Sequence, residues 1–559
     1  MKIKETLEEH FGVVEAVDTN KVTIVIEDES KLNNLRINDI LVMDGDNADE
    51  KLISIITRVQ KKSTENEVDE PNISENIVLA SLVGTFTDRI ADKPCFFKRS
   101  INTYPEINSK VYLAKEGSMS LIMGAISSTV PSKFQLNVGK FTSNNGVDAI
   151  LDGNKFFQRH AAIVGSTGSG KSYTVANILE QLSNLPNGNA LVFDLHGEYT
   201  KLTYCKLLRI GSNNDELKIP LWFFNYEEIH SLFVESSEGT SSNQRATVVE
   251  FILDEKRKFV RDNNLESLIS SEDITVDTPI PFSTKELVEH LKKKDTEMVE
   301  GAKGEKKGAS NGKLTNLINR LSTKISDKKY SFMLDESQTY QSIDYLKTFM
   351  LNMMGNSEKK IRVLDLSGIP SDIVPVILGV TTRLLNNVQF WMNPKEGQIR
   401  NPISLFCDEA HIYMAKDMSR LGASEKKSLA IFENIAKEGR KYGLGLVIIS
   451  QRPSELNSTI ISQCNNIMSL KVTNERDKNA IASMLTDSLV GLVDLLPNLD
   501  VGECIVAGDA IVLPTRIKLN EPSEKPNSTT IDFWSKWIDG TNVYKDIEQS
   551  VHNMIKQSR

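Results

Sequence analysis

This chain lacks a basic excess, is poor in cysteine and has no long apolar run. Its 559 residues carry 66 Lys and Arg against 75 Asp and Glu, a formal net charge of −9. That excludes a generic nucleic-acid binder acting through an overall positive field; any contact with DNA must come from a local patch. The five cysteines, Cys95, Cys205, Cys407, Cys464 and Cys504, are scattered and show no Cys-x-x-Cys spacing. Neither a disulfide framework nor a zinc site is expected. Cys407 and Cys504 lie inside apolar runs and read as core residues. No stretch approaches the roughly 18 uninterrupted apolar residues of a membrane span. The opening MKIKETLEEHFG has no apolar centre of the kind a signal peptide needs. The expectation is a cytoplasmic protein with reduced thiols and no membrane contact. A hydrophobic content of 40% and a charged content of 25% are ordinary for a globular protein, and the length calls for two or three domains.

Residues 1–140 read as short strands separated by turn-rich or acidic segments. Phe11–Val17, Lys21–Ile26, Asp39–Met43, Leu52–Thr57, Ile77–Ser81 and Lys110–Leu113 are apolar or β-branched. Strands at this spacing predict a small β-barrel, with 62–72 as a mobile loop. From about 141 strands alternate with helices, which predicts a parallel α/β sheet running to 519. Its strands are Ala161–Val164, Ala190–Leu195, Arg362–Leu366, Ile403–Asp408, Gly445–Ser450, Ile467–Val472 and Glu503–Ala507. The alternation stops at about 225–345, where amphipathic helical patterns predict an insertion. Residues 520–559 form a tail with a short amphipathic segment holding Phe533, Trp534 and Trp537, expected to close against a neighbour.

The chemistry is concentrated in five short motifs. Gly165-Ser166-Thr167-Gly168-Ser169-Gly170-Lys171-Ser172, with Tyr173 following, is a complete phosphate loop between an apolar strand and a helix. The glycines let backbone N–H groups turn inward, and the helix start adds its dipole. Lys171 reaches the β- and γ-phosphates of ATP and the Ser172 hydroxyl can ligate Mg²⁺. The run Ile403–Cys407 ends in Asp408 and Glu409: Asp408 would orient Mg²⁺ through water, and Glu409 would polarise the attacking water. Gln451 follows a third apolar strand and is placed to sense the γ-phosphate, since ligands of open α/β sheets bind at strand carboxyl ends. Arg440, in EGRKYG, can interact with the end of its own helix or reach a neighbouring site as an arginine finger. Asp194-Leu195-His196-Gly197-Glu198-Tyr199 either lines the nucleotide site or forms a turn.

GSTGSGKS, FDLHGEY, LFCDEAH, EGRKYG and IISQRP, in this order, resemble the HerA family of the HerA–FtsK superfamily, in its bacterial type. The likeness runs from about Gln158 to Pro453 and loosely to Leu519. It implies a RecA-like P-loop NTPase core with a small N-terminal barrel. Lys171, Ser172, Asp408 and Glu409 would act in cis, Gln451 as sensor and Arg440 in trans. It also implies a hexamer that translocates double-stranded DNA, and a separately encoded nuclease or other effector docked on the barrel.

Residues 292–330 hold eleven Lys and Arg against five Asp and Glu, a local excess of six positive charges. This segment either lines a pore or is a solvated loop. Tyr330, Phe332 and Trp391 are expected to pack rather than to stack on bases. The leading reading is a DNA-translocating ATPase in DNA-end processing or antiphage defence, the latter with a nuclease or a sirtuin-like NAD-consuming partner. A scaffold in which ATP controls an effector, and a conjugation-type pump, are the other classes.

Overall fold

The computed structural model describes residues 2–556, except 9, 27, 46, 48, 64–73, 89–94, 212–215, 234–240, 302–303, 328–329, 335, 356–357, 397, 420, 486, 529–532 and 540–546. Most of the loop expected at 62–72 therefore lies outside the described residues.

The first sheet comprises β1 (Gly12–Val17), β2 (Lys21–Ile26), β3 (Ile40–Asp44), β4 (Glu50–Ser63), β5 (Ser74–Thr87), β6 (Phe96–Lys98) and β7 (Lys110–Leu113). The order β2-β1-β7-β3-β4-β5, closed by β2 on β5, makes a six-stranded antiparallel barrel with β6 added on β5. Val14, Val22, Ile24, Leu41, Leu52, Val78 and Val111 are among the residues that fill it. Alternating β-branched residues drive this burial, because successive side chains of a strand face opposite sides. The three-residue β6 is too short to leave a period in the sequence.

The second sheet is the core. It contains β8 (Gln135–Phe141), β9 (Asn144–Asp152), β10 (Ala161–Val164), β11 (Ala190–Asp194) and β12 (Cys205–Arg209). After a small hairpin of β13 (Met298–Gly301) and β14 (Gly304–Lys307), it continues with β15 (Ile361–Asp365), β16 (Ile403–Cys407) and β17 (Leu444–Ser450). It ends with β18 (Asn466–Ser469), β19 (Glu503–Gly508) and β20 (Thr515–Leu519). The order is β12-β15-β11-β16-β17-β10-β18-β19-β20-β8-β9. The strands β12 through β18 in this order are parallel, and β19, β20, β8 and β9 extend them antiparallel. Every residue of β10, β11, β16 and β17 is buried, as expected of strands covered on both faces. Residues 135–140, assigned to the barrel from sequence, sit instead in β8, which pairs with β20 of the core. Strands β12 and β20 were not anticipated: CKLLR and TRIKL each carry two cations in five residues and do not read as buried runs.

Between β12 and β15 the helices Tyr226–Phe233, Ser241–Asp262, Thr284–Thr296, Thr315–Ser326 and Ile343–Met354 form the insertion. Their apolar faces join one core cluster with the helices Val374–Trp391 and Ala423–Tyr442. A bidentate pair, Arg383 on Glu228 with both bonds at 2.7 Å, ties insertion to core in a largely buried place. Phe332 is buried, but Trp391 is 78% exposed, contrary to its expected packing role. It ends its helix, where the chain leaves the core.

The tail begins as a strap across the core. Ser523 N–H donates to Glu180 at 2.9 Å, Thr203 N–H to Glu524 at 2.6 Å, and Asn527 N–H to the Glu198 carbonyl at 2.6 Å. Beyond it, the helices Phe533–Asp539 and Ile547–Lys556 expose Phe533, Trp534, Trp537 and Ile555. Among the described residues no helix is long and apolar enough to cross a membrane.

Candidate active site

The phosphate loop leaves the end of β10 and enters the helix Lys171–Asn184. Its curl depends on left-handed backbone at Gly168 (φ 75°) and Gly170 (φ 108°), which side-chain-bearing residues rarely adopt. At Gly165 a Cβ would stand 2.7 Å from Ser169 Oγ and 2.8 Å from Leu470 Cβ, so the loop can lie against β18 only with glycine there. Ser166 N–H donates to the Lys471 carbonyl at 2.9 Å and fixes the loop to the strand next door. Lys171 is buried; its Nζ donates to the carbonyls of Gly165 (2.9 Å) and Ser166 (3.1 Å). Burial pulls its pKa down, while Glu409, Asp408 and Glu198 push it back up. Ser172 and Tyr173 are partly buried at the helix start.

Strand order brings the other predicted residues to this loop. Strand β17 lies between β10 and β16. The residue after β17, Gln451, therefore stands between the phosphate loop and the acidic pair after β16. Gln451 Oε1 accepts from the Thr167 hydroxyl, and its Nε2 donates to Glu409 Oε1. Asp408 and Glu409 are both buried. Burial raises the Asp408 pKa well above the carboxylate range, and Glu409, Glu198 and Asp194 raise it further. Glu409 has left-handed backbone (φ 44°, ψ 43°), a conformation that costs a residue with a Cβ about 1–2 kcal/mol. The turn aims its carboxylate back over the sheet edge toward Gln451.

The FDLHGEY segment is a turn that also borders the site. Asp194 accepts the N–H groups of Glu198 (3.0 Å) and Tyr199 (2.9 Å), and burial raises its pKa to about 6. Glu198 is close enough to act on both Lys171 and Asp408.

Arg440 is not brought to this loop. It is exposed in the last turn of the helix Ala423–Tyr442, which passes through Gly443 into the start of β17. The phosphate loop follows the end of β10, parallel to β17. At about 3.3 Å per residue the seven residues of β17 separate the two sheet edges by roughly 20 Å. Arg440 thus stands on the edge opposite its own nucleotide site.

Sequence reasoning missed several neighbours. A cleft of about 930 Å³ beside Ser166, Thr167 and Gln451 is also lined by Lys416, Arg452 and Arg476. His411 lies against Glu409. Arg452 and His411 stood inside quoted motifs, but no spacing singles them out.

Buried atoms here without a hydrogen-bond partner include Ser169 Oγ, Asp408 Oδ2, Glu409 Oε2 and Tyr199 Oη. Buried polar atoms are seldom left so unless a ligand, ion or water completes them. The carboxyl groups of Glu409, Asp408 and Glu198 surround one ammonium, so a cation also suits the charge balance. No set of three or more His, Cys, Asp or Glu among the described residues is arranged to hold a metal unaided. Mg²⁺ held mostly by nucleotide phosphates needs no such set. The residues present fit Mg²⁺–ATP.

A phosphate loop, with a buried acidic pair two strands away and a polar strand end between them, is the arrangement of a RecA-like P-loop ATPase. Residues 136–385 match the family model "Helicase HerA, central domain". The double-strand break repair helicase HerA of Sulfolobus acidocaldarius is 27% identical over 545 residues, covering 94% of this chain and 96% of that one. The HerA helicase of Saccharolobus solfataricus is 29% identical over 406 residues, 72% of each chain. VirB4 of Thermoanaerobacter pseudethanolicus superposes on 70% of this chain and 98% of its own with a TM-score of 0.44 and 18% identity. The chain is thus similar to HerA helicases, through its central domain in the family model and along most of its length in these relatives.

Proposed function

We propose that this protein is an ATP-driven motor that moves double-stranded DNA as a ring of identical subunits, a hexamer by family resemblance, and serves a separately encoded effector. The observation that carries the reading is the convergence of Lys171, Asp408, Glu409 and Gln451 at one sheet edge, with Arg440 facing away from it. Lys171 and the loop N–H groups bind the phosphates, and Ser172 and Asp408 hold Mg²⁺. When bound, Mg²⁺ neutralises charge on the phosphate oxygens. Glu409 accepts a proton from the attacking water, Gln451 senses the γ-phosphate, and Arg440 completes the site of the next subunit. The relatives are named for double-strand break repair, which favours DNA ends as the substrate. The test is ATP hydrolysis with and without linear duplex, together with displacement of a bound block from that duplex. Hydrolysis indifferent to DNA and no displacement would instead indicate the scaffold reading, in which ATP controls a nuclease or NAD-consuming effector.

The insertion supports a DNA contact. Lys292 and Lys293 are exposed on the helix Thr284–Thr296, and Lys306 and Lys307 are exposed on β14. Lys294 is partly buried and paired with Glu297 at 3.2 Å, so it is less available. Neutralising Lys292, Lys293, Lys306 and Lys307 is expected to weaken duplex binding and to lower the log–log salt slope by up to about 0.9 per lost phosphate contact. Basal ATPase should hardly change. Binding titrations from low to high salt check this; an unchanged slope would place the DNA elsewhere.

The barrel is the proposed effector-docking domain. It is a separate sheet from the one that ends at the nucleotide site, so a partner can sit there without blocking turnover. Removing residues 1–114 leaves β8 and β9 on the core and is expected to abolish co-purification of the effector. Full retention by an assembled core lacking the barrel would move docking to the insertion or tail.

A further inference from the structure

The residue assigned as the base, Glu409, is held at one oxygen and free at the other. Gln451 Nε2 occupies Oε1, and Oε2 is buried without a hydrogen bond. His411 Nδ1 stands 3.3 Å from that free Oε2 and also 3.3 Å from Ser450 Oγ. Ser450 is the buried last residue of β17, and its Oγ accepts the Arg452 N–H at 3.0 Å. The strand end that carries Gln451 therefore touches Glu409 twice, directly through the amide and indirectly through Ser450 and His411. Two acceptors at equal distance from one ring nitrogen mean that a small ring rotation exchanges one for the other.

A general base cannot work with both oxygens occupied, nor with neither one fixed. One must face the water, and the other must set the plane of the carboxylate. Gln451 also accepts from Thr167, a residue of the phosphate loop. A γ-phosphate in the loop competes for both of those groups. Once Gln451 turns to the phosphate, Oε1 is open, and within the described contacts His411 is the remaining polar side chain at the carboxylate.

We propose that His411 is a positioning residue that takes hold of Glu409 Oε2 from Ser450 as Gln451 releases Oε1, so that γ-phosphate binding itself aims the base. The inference rests on the assignment of Glu409 as the base. The full-length protein carrying His411→Ala is expected to lose kcat for ATP about 10²-fold, the size of loss that misplacement of a reacting group by about 1 Å produces. KM for ATP and the oligomeric state should stay unchanged. His411→Asn, whose Nδ2 can donate from nearly the place of Nδ1, should recover most of the rate, and the similarly sized His411→Leu should not. In a Glu409→Gln background His411→Ala should cost nothing further.

Wild-type kcat in His411→Ala, a loss carried by KM, or equal turnover in the Asn and Leu variants would each overturn the inference. The Asn and Leu comparison decides the matter even if the alanine variant does not fold. An inactive Glu409→Gln beside an active His411→Ala sinks this inference alone. Normal turnover by Glu409→Gln sinks the base assignment and this inference with it.

Discussion

Glu409→Gln is expected to bind ATP as tightly as the unchanged protein and to hydrolyse it about 10²–10⁴-fold more slowly. The amide keeps the shape of the carboxylate, and its nitrogen or oxygen can still meet Gln451. It cannot accept a proton from water. Its backbone strain is unaltered, because Gln at φ 44° is no worse than Glu. Lys171→Ala is the companion variant and should fail one step earlier, at binding. Its ammonium is the buried cation among Asp408, Glu409 and Glu198, and removal leaves those carboxylates and the incoming phosphates to repel one another. Equilibrium binding of a fluorescent ATP analogue, measured beside steady-state hydrolysis, separates the two. Normal turnover in Glu409→Gln would assign the base elsewhere.

Arg440→Ala is expected to bind ATP almost normally and to lose about 10³–10⁵ in kcat, the range for an arginine that stabilises transition-state charge from a neighbouring subunit. The geometric reason is its place at the opposite sheet edge, roughly 20 Å from its own loop. A mixing experiment makes this specific. Neither Arg440→Ala nor Lys171→Ala rings should turn over alone. In mixed rings, a Lys171→Ala subunit lends its intact Arg440 to the intact loop of an Arg440→Ala neighbour, and activity should return in part. An active Arg440→Ala protein, or mixtures no better than their parents, would return Arg440 to a role at the end of its own helix.

Much of the core was legible because both faces of its sheet are covered. Ala161–Val164, Ile403–Cys407 and Leu444–Ser450 are continuous apolar runs for that reason, and each run delivers its polar residue where the strand stops. The barrel strands were legible as short apolar or β-branched runs set apart by turn-rich and acidic segments. What failed was local and polar. Cys205–Arg209 and Thr515–Leu519 each hold two charged residues in five, and only their partners make them strands. Residues 135–140 fall within the span assigned to the barrel and are separated from it by the pairing of β8 with β20. Trp391 looked like a core residue because residue type carries burial only on average, and the end of its helix overhangs the sheet.

The sequence by itself determined that a phosphate-binding loop, an acidic pair and a strand-end glutamine exist, since each requires particular residue types beside an apolar strand. It also determined which backbone turns are possible, through the glycines at 165, 168 and 170. Only the tertiary structure decided how these pieces meet. Strand order is a long-range property: residues 165–402 lie between β10 and β16 along the chain, and still more between β10 and β17. Placing β17 between them sets Gln451 against both Thr167 and Glu409, brings His411 to Ser450, and turns Arg440 away from its own loop. Spacing along the chain cannot encode that choice, because it comes from which buried faces pack together across the whole sheet.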